Sequence, residues 1–234
     1  MSSYRLVFAL SQQTGETVSL TKEQQHYLKR VLRFNIGDRF VAMNGQGLSW
    51  LAEYQEDKAL LLHTLESEKE LTVNLTLVTA LPKGSGYEQI LRCGTELGVS
   101  QFIPVFSDRS LLKPSSNKVN RWRKIVTEAA EQAERAIVPQ VLEPIAFQQA
   151  IKELPLGDRF ICVARGEHSN LWQSLQNVQS SHIIVATGAE GGWTESEIDL
   201  AISQQFQPVS LGKSILRAIT APISVATLVN AVCG

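Results

Sequence analysis

From Leu71 onward, short apolar runs alternate with helical patterns, and this alternation restricts the fold more than any other feature of the chain. "LTVNLTLVTAL", "VSQFIPVFS", "RFICVAR", "HIIVATG" and "FQPVSLG" read as strands. Most lack a polar face, as expected of strands covered on both sides. Between them, "GYEQILRCGTELG", "VNRWRKIVTEAAEQAERA", "ESEIDLAISQQ" and "APISVATLVNAV" read as helices. In the long one, Trp122, Ile125, Val126, Ala129, Ala133 and Ile137 recur at helical spacing. Gly98 suits a helix C-cap, and Thr220 with Pro222 suits a helix start. The class is therefore α/β, with a parallel sheet sandwiched between helices.

Residues 1–70 have a different texture. "YRLVFAL", "RFVAMN", "SWLAEYQ" and "ALLLHTLE" are short strands, with "NGQG" at 44–47 as a hairpin turn. A single helix, "TKEQQHYLKRVLR", interrupts them, and Thr21 is its expected N-cap. A small β-barrel with one helix fits this pattern. The charged "SEKE" at 67–70 marks the boundary, dividing the chain into domains at 1–70 and 71–234.

A net charge of −1 excludes indiscriminate nucleic-acid binding through a large positive field, but leaves room for a local basic patch. One such patch is expected on the first helix, where His26, Lys29, Arg30 and Arg33 share a side at helical spacing. That side is either a solvated face or a phosphate-contacting one. The three cysteines, Cys93, Cys162 and Cys233, match neither a disulfide framework nor a metal site, so no metal is expected. No apolar run is long enough to span a bilayer, and the N-terminus lacks a signal-peptide pattern. A cytoplasmic protein with no membrane partner is the expectation.

The stretch "TGAEGGWTESEI" at 187–198 places three glycines between a strand and a helix. It lacks the Lys-Ser/Thr of a phosphate loop, and Glu190 would repel phosphate. A ligand bearing positive charge, or an adenine and ribose held by main-chain groups, fits better, because glycine lets the backbone approach a flat ring. A purely structural tight turn also stands. A second bend, "LGKSILRAITA" at 211–221, sets Arg217 among apolar residues.

Together these two stretches resemble the G-P-E-G-G-[FW] and L-G-x-x-I-L-R-x-E-T-A signatures of the RsmE family. These are ribosomal RNA small-subunit methyltransferases of the SPOUT (α/β-knot) superfamily. "ELGVSQFIPVFSDRS" at 96–110, "RWRKIVTEAAEQAERAIVPQV" at 121–141, "GEHS" at 166–169 and "VLRFNIGDRF" in the N-terminal part are similar in order and spacing. The resemblance extends over nearly the whole chain. The chain departs from the family pattern at Ala189 for proline, Ser214 for arginine, Ile219 for glutamate and Cys93 for lysine.

The resemblance implies a C-terminal trefoil-knotted SPOUT methyltransferase domain and an N-terminal PUA-like RNA-binding barrel. It implies S-adenosyl-L-methionine as cofactor and 16S rRNA within the small ribosomal subunit as substrate. It also implies a homodimer, and methylation of N3 of one uridine in the decoding region. Cofactor contacts fall on Thr187, Gly188, Ala189, Glu190, Gly191, Gly192, Leu211, Gly212, Ser214, Ile215, Leu216 and Arg217. Arg217 and Glu190 are the catalytic candidates: an arginine near the uracil oxygens stabilises the anion that forms as N3 loses its proton. Glu190 serves equally well as a loop brace, and Trp193 as a stacking surface or a core residue. His26, Lys29, Arg30, Arg33, Arg109, Gln132 and Arg135 are the RNA-contact candidates. For Arg109 the alternative is a strand-end ion pair. For Gln132 and Arg135, expected on one helix face with Glu128, it is a salt-bridged surface. Two other functions stand beside the first: a catalytically weak RNA-binding or assembly protein, suggested by the departures, and a methyltransferase of the same fold acting on ribose or tRNA.

Overall fold

The computed structural model describes residues 4–66, 70–110 and 113–234. Within "SEKE", residues 67–69 therefore lie outside the described residues. The chain forms two compact units. One covers Met1–Glu70 and Ala130–Val138, the other Leu71–Ala129 and Pro139–Gly234.

The first unit contains β1 (Arg5–Val7), β2 (Gln13–Thr14), β3 (Thr17–Ser19), α1 (Lys22–His26), β4 (Arg39–Met43), β5 (Ser49–Gln55) and β6 (Lys58–Leu65). Its sheet runs β1-β4-β5-β6-β3-β2. β1 and β2 stand at the two ends of this path, so the expected barrel is an open strand order among the described residues. The β4–β5 turn forms at "NGQG". Asn44 Oδ1 accepts from the N–H of Gln46 and of Leu48, and Gly45 has φ 70°. Phe8, Leu28, Phe40, Ala52, Tyr54 and Leu61 belong to the core of this unit. Fully burying one such large apolar side chain contributes about 1.5–3 kcal/mol.

Thr21 caps α1 as expected: its side chain accepts from Gln24 N while Gln24 Oε1 accepts from Thr21 N. The regular helix is short, however. Tyr27–Val31 form a π-turn, closed by Leu32 N donating to Tyr27 O at 3.0 Å. The wider turn breaks the 3.6-residue period, and Arg33 lies beyond it at φ 60°. His26, Lys29, Arg30 and Arg33 are all exposed, but Arg33 is off the helix, which corrects the expected single stripe. Lys29 Nζ pairs with Glu56 at 2.7 Å.

The second unit contains β7 (Asn74–Ala80), α2 (Gly86–Glu96), β8 (Val99–Phe106), most of α3 (Ser116–Ala133, whose residues from Ala130 on count with the first unit), β9 (Gln140–Val141), β10 (Ile145–Ala146) and α4 (Phe147–Ala150). It continues with β11 (Asp158–Cys162), α5 (Leu171–Leu175), β12 (His182–Thr187), α6 (Glu195–Ser203), β13 (Gln207–Val209) and α7 (Thr220–Cys233). The sheet order is β10-β8-β7-β12-β11-β13, with β9 beside β8, and every recorded pairing is parallel. β7 and β12 are nearly fully buried, as strands without a polar face should be. Gly98 ends α2 at φ 96°. The α7 N-cap falls on Ile219, without a side-chain cap, so Thr220 is the first helical residue rather than the cap.

The long helix also ends earlier than its pattern suggests. It closes at Ala133, and Glu134 turns into the left-handed region at φ 61°. Ile137 and Arg135 therefore lie outside it. Arg135 is 3% exposed and donates to Glu70 at 2.6 and 3.1 Å. This corrects the expectation of an RNA-facing Arg135 sharing a helix face with Glu128 and Gln132. Gln132 itself is exposed, one residue before the helix closes.

Candidate active site

In a parallel sheet, every strand delivers its C-terminal loop to the same edge, and ligands gather there. The loops after β11, β12 and β13 meet at this edge in one cavity of about 670 Å³. Gly188, Ala189, Glu190, Gly191 and Gly192 line it from the β12 loop, and Leu211, Gly212, Ser214, Ile215 and Leu216 from the β13 loop. The β11 loop adds Val163, Arg165 and His168. Two glycine-bearing bends far apart in sequence thus share one crevice.

The loops are joined by main-chain bonds. Val163 N donates to Val209 O, Ser210 N to Ser169 O, and Leu171 N to Ser210 O, each at 2.9 Å. Gly212 has φ 127°, stabilised by Ser210, whose Oγ donates to Gly212 O and accepts from Gly212 N. In the β12 loop, Gly192 N closes a tight turn onto Ala189 O at 2.9 Å, with Gly192 at φ 66°. At Gly191 the reason for glycine is proximity: a Cβ would sit 2.9 Å from Arg109 Cδ. The turn is therefore compact for internal reasons, and the cavity lies along its remaining edge.

Several side chains resolve the alternatives left by the sequence. Trp193 is 7% exposed and stacks on Phe147, with centroids 4.4 Å apart. It belongs to the core cluster beneath the loop and also contributes to the cavity lining. Glu190 Oε1 accepts from Lys83 N at 3.0 Å, which ties the β12 loop to the β7–α2 connection. Arg109 makes no ion pair among the described residues. Its NH1 donates to Gly191 O at 2.6 Å and to Trp193 O at 3.2 Å. His168 Nε2 lies 3.1 Å from Arg165 O.

Two of the expected cofactor contacts are not in the cavity wall. Thr187 is fully buried behind it, with its hydroxyl on Thr79 Oγ1 at 3.3 Å, because β12 and β7 pair side by side at that position. Arg217 is exposed and also lies outside the lining. Its guanidinium has no hydrogen-bond or ion-pair partner among the described residues. Conversely, Cys162, Val163, Ala164, Glu195, Ile198 and Ser210 line the cavity without having been singled out. Their signal was topological: most sit at the end of a parallel strand. Burial pushes the Cys162 thiol up to about 12, so it stands in the wall as a neutral group. Among the described residues, no cluster of His, Cys, Asp and Glu could hold a metal ion, and no helix is long and apolar enough to cross a membrane.

The RNA methyltransferase domain model matches residues 69–230, and the RNA methyltransferase PUA domain model matches residues 20–63. Fold, cavity and both matches define the class: an RNA methyltransferase with a PUA domain. A ribosomal RNA small subunit methyltransferase E from Synechocystis sp. is 48% identical over 98% of this chain and 78% of its own length. The protein of that name from Bacillus subtilis is 33% identical, over 88% of this chain and 87% of its own. The chain belongs to the ribosomal RNA small subunit methyltransferase E family. A crystal structure of the Neisseria gonorrhoeae member bound to S-adenosyl methionine superposes with a TM-score of 0.86 at 30% identity, covering 96% of this chain and 95% of that one.

Proposed function

We propose that this protein methylates N3 of a uridine in the decoding region of 16S rRNA, using S-adenosylmethionine and taking the small ribosomal subunit as substrate. The observation that carries the reading is the convergence of the β12 and β13 loops in one cavity. The residues present fit the cofactor. Main-chain groups of 188–192 and of Leu211 that are not bonded within the loops offer donors and acceptors to a purine and a ribose, and the glycines among them let a flat ring approach. Val163, Ile198, Leu211, Ile215 and Leu216 supply apolar contact, and Glu190 and Glu195 supply negative charge compatible with a sulfonium. When bound, the cofactor supplies an electrophilic methyl group.

The chain's own contribution is alignment and charge. Transfer to uracil N3 gains most from holding donor and acceptor in line. The unpaired guanidinium of Arg217, at the rim of the β13 loop, is suited to the uracil oxygens as negative charge develops there. Glu190 acts in this reading as a brace through Lys83 N. N3 lies on the pairing edge of the base, so the target uridine is unpaired or drawn out of its stack. Arg30 and Arg33 offer cations to phosphate, and His26 a ring N–H, in the PUA domain, where 1–70 acts as the RNA-binding part. A homodimer, a cytoplasmic location beside the ribosome and a knotted path through residues 163–217 complete the reading.

The test uses small subunits from cells lacking this modification. Incubation with the protein and S-adenosylmethionine should yield 3-methyluridine in the digested 16S rRNA, read by mass spectrometry. Methylation of a ribose, or of tRNA alone, would sink the assignment. So would a folded protein with no calorimetric binding of S-adenosylmethionine.

A further inference from the structure

We infer that Arg109 is a positioning residue for the cofactor loop, holding the Gly188–Trp193 turn in the shape that binds nucleoside. The inference rests on the reading of the cavity as the S-adenosylmethionine site. Arg109 follows β8, two strands away from β12 in the sheet, and reaches across to the β12 loop. Its NH1 bridges two carbonyls of that loop, Gly191 O at 2.6 Å and Trp193 O at 3.2 Å. Its stem lies against Gly191, where a Cβ would fall 2.9 Å from Cδ and 3.0 Å from Arg109 Cβ. The side chain also lines the cavity. One residue therefore fixes the loop from the outside while forming part of its pocket face.

The residues around Arg109 strengthen the link. Asp108 N donates to Glu197 Oε1 at 2.9 Å, and Glu197 Oε2 accepts from Thr194 N at 2.8 Å. Thr194 Oγ1 donates to Asp108 Oδ2 at 3.2 Å. Glu197 is 2% exposed, so its carboxylate depends on these donors. The "SDRS" segment and the start of α6 are thus fastened by one network. Within it, Arg109 alone reaches the glycine turn, and a charged donor makes the stronger type of hydrogen bond. Carbonyls taken up by Arg109 cannot rotate into the pocket, and the N–H groups of the same peptides are held too, Gly192 N on Ala189 O and Thr194 N on Glu197 Oε2, so the turn is fixed on both edges. The consequence is selective: Arg109 acts on cofactor affinity and leaves the transfer step itself unchanged.

The experiment compares wild type, Arg109→Ala and Arg109→Lys. S-adenosylmethionine affinity is measured by calorimetry, kcat at saturating cofactor on small subunits, and amide hydrogen exchange across residues 187–195 in the free protein. In Arg109→Ala we expect cofactor affinity to fall roughly tenfold or more, the scale of losing hydrogen bonds to a charged group. Exchange should quicken in the turn and stay slow in β12, with kcat preserved. Arg109→Lys, which keeps a cationic donor, should recover part of the affinity and of the protection. Unchanged affinity with unchanged exchange overturns the inference, as does a fall in kcat with affinity intact. Should Arg109→Ala not fold, the Arg109→Lys comparison decides by the same criteria. If wild type binds no S-adenosylmethionine, the cavity reading fails, and the exchange data still decide whether Arg109 orders the turn.

Discussion

Arg135 and Glu70, 65 residues apart in sequence, form a salt bridge in which the guanidinium is almost wholly enclosed. Glu70 Oε2 accepts from both Nε and NH2 of Arg135, while Oε1 accepts from Ile137 N at 3.0 Å. One carboxylate thereby fastens the segment that follows α3. Arg5 holds Glu134 at 2.8 Å, and Glu131 accepts from Val7 N at 2.7 Å on the same stretch. Removing Glu70 takes away the acceptor of two Arg135 hydrogen bonds and of the Ile137 N–H. Glu70→Ala is expected to lower stability by about 1–3 kcal/mol in urea unfolding, and Glu70→Gln by less, since it keeps acceptor and shape. A loss within experimental error for Glu70→Ala would refute this account.

Gly191→Ala is expected to weaken S-adenosylmethionine binding, because the new Cβ meets the Arg109 stem at 2.9–3.0 Å. The effect should be non-additive with Arg109→Ala, which removes the Cδ contact at 2.9 Å and leaves only the Cβ one at 3.0 Å. A double-mutant cycle by calorimetry should therefore yield a coupling of about 0.5 kcal/mol or more. Simple additivity would mean that glycine is required at 191 for another reason.

A Cβ on Gly86 would fall 2.7 Å from Ile219 Cδ1, where the start of α2 meets the residue capping α7. Gly86→Ala should destabilise by about 1–3 kcal/mol through overpacking. Adding Ile219→Val or Ile219→Ala should return part of that loss. Thermal unfolding reads both effects, and a stabilised Gly86→Ala protein would contradict the contact.

Cys162 ties stability to alkaline pH. Its thiol is raised to about 12 by burial in the folded chain, from a starting value of 9.0. Between those values the unfolded chain loses a proton that the native state keeps. Stability from this group is therefore full below about pH 9 and declines as pH rises toward 12. Wild type should lose more stability between pH 8.5 and pH 10.5 than Cys162→Ala, measured by urea unfolding. Equal slopes would show that the thiol is not enclosed. Iodoacetamide at pH 8 should likewise modify Cys162 more slowly in the folded than in the unfolded protein, because the folded thiol stays neutral.

Much of this architecture was legible from local pattern. The non-alternating runs at 74–80 and 182–187 led directly to buried parallel strands. The two glycine bends led to one cavity because strand-to-helix loops of a parallel sheet share an edge. What escaped was long-range and polar. Nothing in the order of residues announced that Arg109 would bond to carbonyls 82 and 84 positions away. The periodicity of the long helix ran on through Ile137, while the backbone had already turned at Glu134 to satisfy Arg135 at Glu70. The π-turn at 27–31 broke the basic stripe for a similar reason, since an extra residue per turn is invisible to a pattern read at fixed period. Thr187 and Arg217 matched a motif, yet one faces β7 and the other faces solvent.

The cavity wall between residues 188 and 192 consists largely of peptide groups. A side chain can be deleted by a single codon change; an amide N–H or a carbonyl cannot, and can only be displaced. Drift at positions such as Ala189 or Ser214 therefore alters how firmly a ligand is seated, while the donor and acceptor pattern offered to it persists through every substitution that spares the turn. Recognition of this kind is inherited with the path of the chain.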